Sequence, residues 1–213
     1  MKKFLSILCV MILCLGVLAG CGAGTTTTPD TATIAPLPST IDLANIGDCT
    51  LAVSFAQGDV FVDDAGALQM KVKVYDYDKY DIVDIAELAE GDVIVMHGEE
   101  VEVTSVETTE GGLVMINGGM ENGGFDLFSA DENVYYESGF NDVKTYNEVG
   151  EITIPVSTEF EFTDSCDLEN GPVVYYPGDF LVDSGIEYDF NPNNTSIVVE
   201  GGLVIAMSHI FMP

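Results

Sequence analysis

The feature that most constrains this chain is an alternation with a period of two residues. Met70-Lys71-Val72-Lys73-Val74 places apolar and charged side chains in strict turn. Val101-Glu102-Val103, Ile152-Thr153-Ile154-Pro155-Val156 and Glu159-Phe160-Glu161-Phe162 repeat the pattern. Successive side chains of a strand point to opposite faces, so each stretch reads as a strand with one buried and one wet face. The unbroken runs Val93-Ile94-Val95-Met96 and Leu203-Val204-Ile205-Ala206 read as more completely buried strands. Turn chemistry separates these stretches. Asp63-Asp64-Ala65-Gly66, Asn117-Gly118-Gly119, Asn122-Gly123-Gly124 and Asn191-Pro192-Asn193-Asn194 supply residues that tolerate positive φ or pre-set a turn. A Gly-Asp pair opens a strand three times, at Gly58-Asp59, Gly91-Asp92 and Gly178-Asp179. The glycine takes the turn, and the carboxylate is placed to accept nearby backbone N–H groups. Glu110-Gly111-Gly112-Leu113-Val114 recurs as Glu200-Gly201-Gly202-Leu203-Val204, which reads as one hairpin chemistry used twice.

A single helix is predicted, over about 81–90. Asp81 caps it, Ile82, Ile85, Ala86 and Ala89 fall at helical spacing, and Gly91 stops it. A helix this short needs packing against a sheet to persist. The fold class is therefore all-β: an antiparallel sandwich or a barrel-like domain with one short helix. Residues 41–213 make either one domain or two small β submodules, with candidate internal boundaries near 107–112 and 146–150.

Charge removes whole classes of function. The 213 residues carry 36 Asp and Glu against 6 lysines and no arginine, a net charge of −30. Such a surface repels a phosphate backbone, so nucleic acid is excluded as a partner. Bidentate guanidinium recognition of phosphate or carboxylate is excluded with it. Apolar content of 47% still suffices for a packed core, so acidity here does not mean disorder.

The N-terminus has the layout of an export signal. Lys2 and Lys3 precede an apolar run from Phe4 to about Leu18, shorter than the roughly 20 residues a membrane span needs. The run ends in Leu18-Ala19-Gly20-Cys21, and here the sequence resembles the bacterial lipoprotein family at the lipobox of its type II signal peptides. The resemblance covers about the first 22 residues. It implies cleavage before Cys21, diacylglyceryl attachment to that sulfur, and a membrane partner reached through the lipid anchor. The implied location is the outer face of the bacterial cytoplasmic membrane, or the cell surface. Each buried acyl methylene contributes about 0.8 kcal/mol, so two or more chains hold stably. Removing 1–20 leaves four cations against 36 anions. Residues 21–40 then comprise the lipidated cysteine and a Thr- and Pro-rich linker, with Thr25 to Thr28 in a row and Pro29, Pro36 and Pro38 after them.

Five cysteines reduce to two, because Cys9 and Cys14 leave with the signal and Cys21 takes lipid. Cys49 and Cys166 are candidates for one disulfide in an exported chain; two separate buried thiols are the alternative. His97 and His209 have no metal-ligand partner at helical or hairpin spacing, and each reads as a strand-end or half-buried residue. No nucleophile motif and no phosphate-cradling loop occur.

Two constellations carry candidate binding chemistry. Asp189, Asn191, Asn193, Thr195 and Glu200 occupy positions 1, 3, 5, 7 and 12 of the spacing with which oxygen ligands wrap Ca2+. Against that reading, Asn194 stands where the turn glycine belongs and no helix flanks the segment, so an Asn/Pro-rich hairpin loop is the preferred alternative. The second is Tyr75-Asp76-Tyr77-Asp78-Lys79-Tyr80-Asp81, where Tyr75, Tyr77 and Tyr80 offer ring area and a phenol beside acids. That combination suits an envelope glycan, a peptide or a protein ligand; tyrosines at a sheet margin are the plain alternative. The expected function is a non-catalytic binding or surface-interaction β-domain on a lipid anchor, with no cofactor predicted beyond Ca2+. The alternatives are an envelope or polysaccharide hydrolase using a carboxylate pair and a Ca2+-stabilised surface module.

Overall fold

The computed structural model describes residues 31–130, 133–139, 143–180 and 189–212. The expected signal, Cys21 and the first part of the linker lie outside them. In chain order the strands are β1 (Thr33–Ile34), β2 (Cys49–Ser54), β3 (Val60–Val62), β4 (Leu68–Tyr77) and β5 (Lys79–Asp81). Helix α1 (Ile82–Glu87) follows, then β6 (Val93–Met96), β7 (Glu99–Glu102), β8 (Val106–Thr108), β9 (Val114–Ile116), β10 (Phe125–Ala130) and β11 (Val134–Glu137). The chain ends with β12 (Tyr146–Ser165), β13 (Val173–Tyr175), α2 (Pro177–Phe180), β14 (Thr195–Glu200) and β15 (Leu203–Ile210). The molecule is all-β with little helix.

Five of these strands close a circuit. β2 pairs antiparallel with β4, β4 antiparallel with β12, β12 parallel with β15, and β15 and β2 each antiparallel with β14. The result is a five-stranded barrel, with β3 added beside β4 and β13 beside β12. Its closure depends on the twenty-residue β12, which changes partner along its length. Tyr146 to Pro155 pairs with β4, and Glu161 to Ser165 pairs with β15, with a register shift between Val156 and Glu161. Closure removes the exposed edges that an open sheet of these strands would carry.

The alternation fills the barrel as the sequence implies. Met70, Val72 and Val74 are buried inside, while Lys71 and Lys73 point out and pair with Glu151 and Glu148 at 2.9 Å. Leu51, Val53, Phe160, Phe162, Ile197, Val199, Val204 and Met207 complete the interior with Phe190. At Gly150 a Cβ would sit 2.7 Å from Leu43 Cδ1, so glycine lets the N-terminal segment pack onto the bulge in β12. The two unbroken apolar runs do not bury completely. Val93 to Met96 alternates half-buried and buried, and in β15 Val204 is buried beside an exposed Leu203. Each lies in a sheet with only one face on a core.

The connection from β4 to β12 holds a second module. β5, β11, β10, β9 and β8 form one antiparallel sheet in that order, and β6 and β7 form a hairpin. Their apolar faces enclose Tyr80, Ile85, Leu88, Ile94, Met96, Val103, Val114, Ile116 and Leu127. β1 joins β6 in parallel and buries Ile34 there, so residues 33–34 of the expected linker are strand. Ala32 N donates to Asp92 Oδ1 and fixes that pairing. Of the two candidate boundaries, 107–112 falls in the β8–β9 hairpin inside this module, and 146–150 falls where the chain re-enters the barrel.

Helix α1 starts as expected, with the Asp81 carboxylate accepting from Val83 N. It ends at Glu87, earlier than expected, because Leu88 turns to extended geometry and buries in the module core. A second, four-residue helix at Pro177–Phe180 was not expected. The three Gly-Asp pairs share one device: Asp59, Asp92 and Asp179 accept from the N–H three residues upstream, at Ala56, Ala89 and Tyr176.

Candidate functional site: a tyrosine-lined groove on the barrel

A groove of about 580 Å³ runs between the segment Thr40–Thr50 and the outer side of the barrel. That volume lies within the usual range for small-ligand sites. Thr40, Asp42, Asn45 and Asp48 form one wall; Tyr75, Asp76, Tyr77, Lys79, Tyr146, Ala52 and Ser196 form the other. The wall segment is fixed by its own bonds. Asp42 accepts from Ala44 N and from the Asn45 side chain, which holds its carboxyl below the ordinary range, and Asp48 accepts from Gly201 N. Asp76 is anchored by three donors: Ser39 Oγ at 2.7 Å, Lys79 Nζ at 2.7 Å and Tyr77 N at 3.0 Å.

Tyr75 and Tyr77, two of the three tyrosines singled out from sequence, both line the groove. The Tyr75 hydroxyl lies 2.9 Å from Ser54 Oγ. Tyr77 is the hub of an aromatic cluster, edge-on to Tyr136 at 5.6 Å and to Tyr146 at 5.8 Å. Lys144 Nζ stands 4.2 Å from the Tyr77 ring and 4.8 Å from that of Tyr136, and Lys79 Nζ stands 4.6 Å from Tyr77. Such cation–π contacts contribute roughly 0.5–1 kcal/mol each where exposed. Burial pushes the Tyr146 hydroxyl upward, with Tyr77 and Asp76 adding to the effect, so it stays a neutral donor.

Tyr80 corrects the sequence expectation. It is fully buried in the module core and its hydroxyl donates to Val95 O at 2.8 Å. Pairing of β5 with β11 opposes Tyr80 to Tyr135, away from the groove. Tyr146 replaces it: sixty-six residues further on, it is brought in only by the β4–β12 register that sets it opposite Tyr77.

The cysteines do not pair. Cys49 and Cys166 are both free thiols. Cys49 sits opposite Val199, whereas Cys166 follows the Asp164–His209 rung, which adjoins the rung of Thr195. Those rungs are about 13 Å apart along the strands, well beyond the roughly 7 Å that a disulfide spans between Cα atoms.

The calcium spacing is not gathered into a cage either. Asn191 Oδ1 accepts from Asn193 N, Asn193 Oδ1 accepts from Lys144 N, and Thr195 is buried at the start of β14. Glu200 stands at the other end of that strand, about 16 Å away at the ordinary strand rise. The loop therefore resolves as an Asn-stitched turn, with Asn194 Nδ2 donating to Asp189 O.

Two titratable clusters were not legible in sequence. Asp78, His97 and Glu137 meet near the module edge. His97 Nε2 contacts Glu137 Oε2 closely, and burial raises the Asp78 carboxyl while His97 pulls it back. Asp76 and Asp78 also line a small cleft of about 250 Å³ with Asn147 and Glu148. The second cluster is Asp164, Cys166 and His209, where the parallel register sets His209 directly beside Asp164. Burial pushes the Cys166 thiol up to about 11, with the hydrogen bond and charge of Asp164 adding, so this thiol is not activated as a nucleophile. Sequence spacing hid this trio, because forty-three residues separate its cysteine from its histidine.

No family model, no curated protein and no solved structure matches the chain. Among the described residues, no helix is long and apolar enough to cross a membrane.

Proposed function

We propose that this chain is a lipid-anchored extracytoplasmic binding protein that holds an envelope glycan in the tyrosine-lined groove without catalysis. The observation that carries the ligand class is the convergence of Tyr75, Tyr77 and Tyr146 with Ser and Thr hydroxyls on one concave surface. Aromatic faces stack on the apolar side of a sugar ring, and phenols and hydroxyls exchange hydrogen bonds with its rim. The groove carboxylates are already engaged by Asn45, Gly201, Ser39 and Lys79, which favours a neutral ligand over a cationic peptide. The anchor rests on Leu18-Ala19-Gly20-Cys21, and intact-mass measurement of membrane-extracted protein tests it by the mass of the acyl groups.

The chain has no tryptophan, so its emission comes from nine tyrosines, of which Tyr75, Tyr77 and Tyr146 line the groove. Full-length protein in detergent, titrated with soluble envelope glycan fragments, is expected to show a saturable change in that emission. Tyr77→Ala and Tyr146→Ala each weaken it on the order of tenfold, the scale of a binding hot spot. A response to lysine-rich peptides alone transfers the site to a peptide ligand. No response to either series removes the reading.

The hydrolase alternative has one supporting observation, the partly desolvated Asp78 beside Asp76 in the smaller cleft. Glycan turnover abolished by Asp78→Asn and retained in Tyr77→Ala establishes catalysis in place of simple binding.

A further inference from the structure

We propose that Asp164, Cys166 and His209 form a three-ligand site for a borderline-soft divalent metal ion, zinc foremost. None of the three lines the tyrosine groove, so this site stands apart from the reading above. The geometry is the first argument. Cys166 Sγ lies 3.2 Å from His209 Nδ1, and Asp164 Oδ1 lies 3.4 Å from that same nitrogen. All three donor atoms fall within 4.8 Å of one another. A tetrahedral zinc ion with ordinary bond lengths sets its sulfur and nitrogen ligands about 3.5 Å apart and its nitrogen and oxygen ligands about 3.3 Å apart. The edges of 3.2 and 3.4 Å lie within about 0.3 Å of those values.

The second argument is the donor set. Thiolate, imidazole and carboxylate together suit zinc and its neighbours; calcium and magnesium take oxygen alone. The third is rigidity. Asp164 and His209 are fixed side by side by the β12–β15 ladder, and Asp164 Oδ1 also accepts from Cys166 N at 3.0 Å. The His209 ring, almost wholly buried, is held by Phe190 at 5.1 Å and Phe162 at 6.5 Å. The fourth argument is charge. The four lysines among the described residues are committed elsewhere, to Glu151, Glu148, Asp76 and the Tyr77 ring. A bound cation supplies the positive charge that no lysine brings to Asp164. On coordination the thiol proton passes to solvent, so uptake releases a proton.

Cobalt(II) provides the test, since thiolate-bound four-coordinate cobalt has a charge-transfer band in the near ultraviolet and intense visible bands. Full-length protein in detergent is stripped with chelator and titrated with cobalt, then with zinc. One equivalent is expected to develop both features, and zinc then displaces the cobalt. Cys166→Ser abolishes the charge-transfer band and Asp164→Asn weakens binding. Loss of an outer-shell partner alone costs 10–100-fold, so loss of the thiolate is expected to cost on the order of 100-fold or more. His209→Gln provides a second, near-isosteric probe should the serine variant fail to fold. Cys49→Ser retains the band. An absent charge-transfer band in the parent protein, or one lost in Cys49→Ser and kept in Cys166→Ser, overturns the site and leaves a hydrogen-bonded trio.

Discussion

The barrel and the module inserted into it solve the same problem in different ways. The barrel pairs strands from distant parts of the chain, β2 near residue 50 with β14 near 195, and closes on itself. The module is built mostly from near neighbours, β6 with β7, β8 with β9, β9 with β10 and β10 with β11, and only β5 with β11 and β1 with β6 pair across long separations. It ends in short edge strands such as Val106–Thr108, with acidic Glu107 on the margin. Closure pairs each of the five barrel strands on both sides, leaves only the added β3 and β13 as open margins, and encloses one core with large rings, Phe160 and Phe162. The module has open edges and a smaller core around Tyr80. The lesson is that local hairpins can be inserted into a loop of a long-range fold without disturbing its ladder.

This contrast predicts separable behaviour. Phe160→Ala, in the barrel core, is expected to cost about 3–5 kcal/mol and to remove amide protection in all five barrel strands together, as read by hydrogen exchange. Gly124→Ala acts on the module. Its Cβ would meet Ile116 O at 2.0 Å and Asn117 O at 2.6 Å, forcing backbone movement at a cost of about 1–3 kcal/mol. Protection is expected to fall in β9 and β10 while the barrel keeps its own; a uniform loss throughout erases the distinction drawn here.

Smaller effects probe the junction. Lys144→Ala removes both of its ring contacts, with Tyr77 of the barrel and Tyr136 of the module, and is expected to cost about 0.5–1 kcal/mol, seen as a lowered Tm. Asp78→Asn works in the opposite direction. Burial raises the Asp78 carboxyl in the folded state, so folded protein holds that proton more tightly than unfolded protein. The resulting stability is present below the unfolded carboxylate range and is lost as pH rises through the raised value. At neutral pH the variant should melt slightly higher than the parent, and in acid the two should converge. A parent that melts higher than the variant at neutral pH reverses the sign and refutes the assignment.

The smallest expected effect concerns cations. With so few positive charges, moderate salt should raise Tm by screening carboxylate repulsion. Calcium at matched ionic strength should add nothing through Asp189, Asn191, Asn193, Thr195 and Glu200, because their strand separates the last from the rest. A calcium-specific rise in melting temperature would restore that loop as a binding site.

Much of the fold was legible, and the particular residues show why. Met70, Val72, Val74, Phe160 and Phe162 were assigned to a buried face by alternation alone, and all five are buried. The Asp81 cap was readable because the capping carboxylate and the Val83 N–H that donates to it lie two residues apart. The site was legible only in half. Tyr75 and Tyr77 share a strand, so spacing placed them together; Tyr146 came from another strand, and Tyr80 turned into a core that sequence could not locate. The sequence makes Cys166 a disulfide candidate and His209 a strand-end or half-buried residue, and it hides their proximity because that arises from a parallel ladder.

Alternation, turn residues and charge are local properties, and they alone determined which positions form strands, which faces turn inward and which partners an acidic surface repels. Partner choice was decided elsewhere. The exchange of neighbours halfway along β12, which closes the barrel, and the two rungs that bring Tyr146 to Tyr77 and His209 to Asp164 depend on pairing across long sequence separations. A period of two residues tells which side of a strand is apolar. It carries no information on which other strand will cover that side, and only the assembled core selects among the pairings that would.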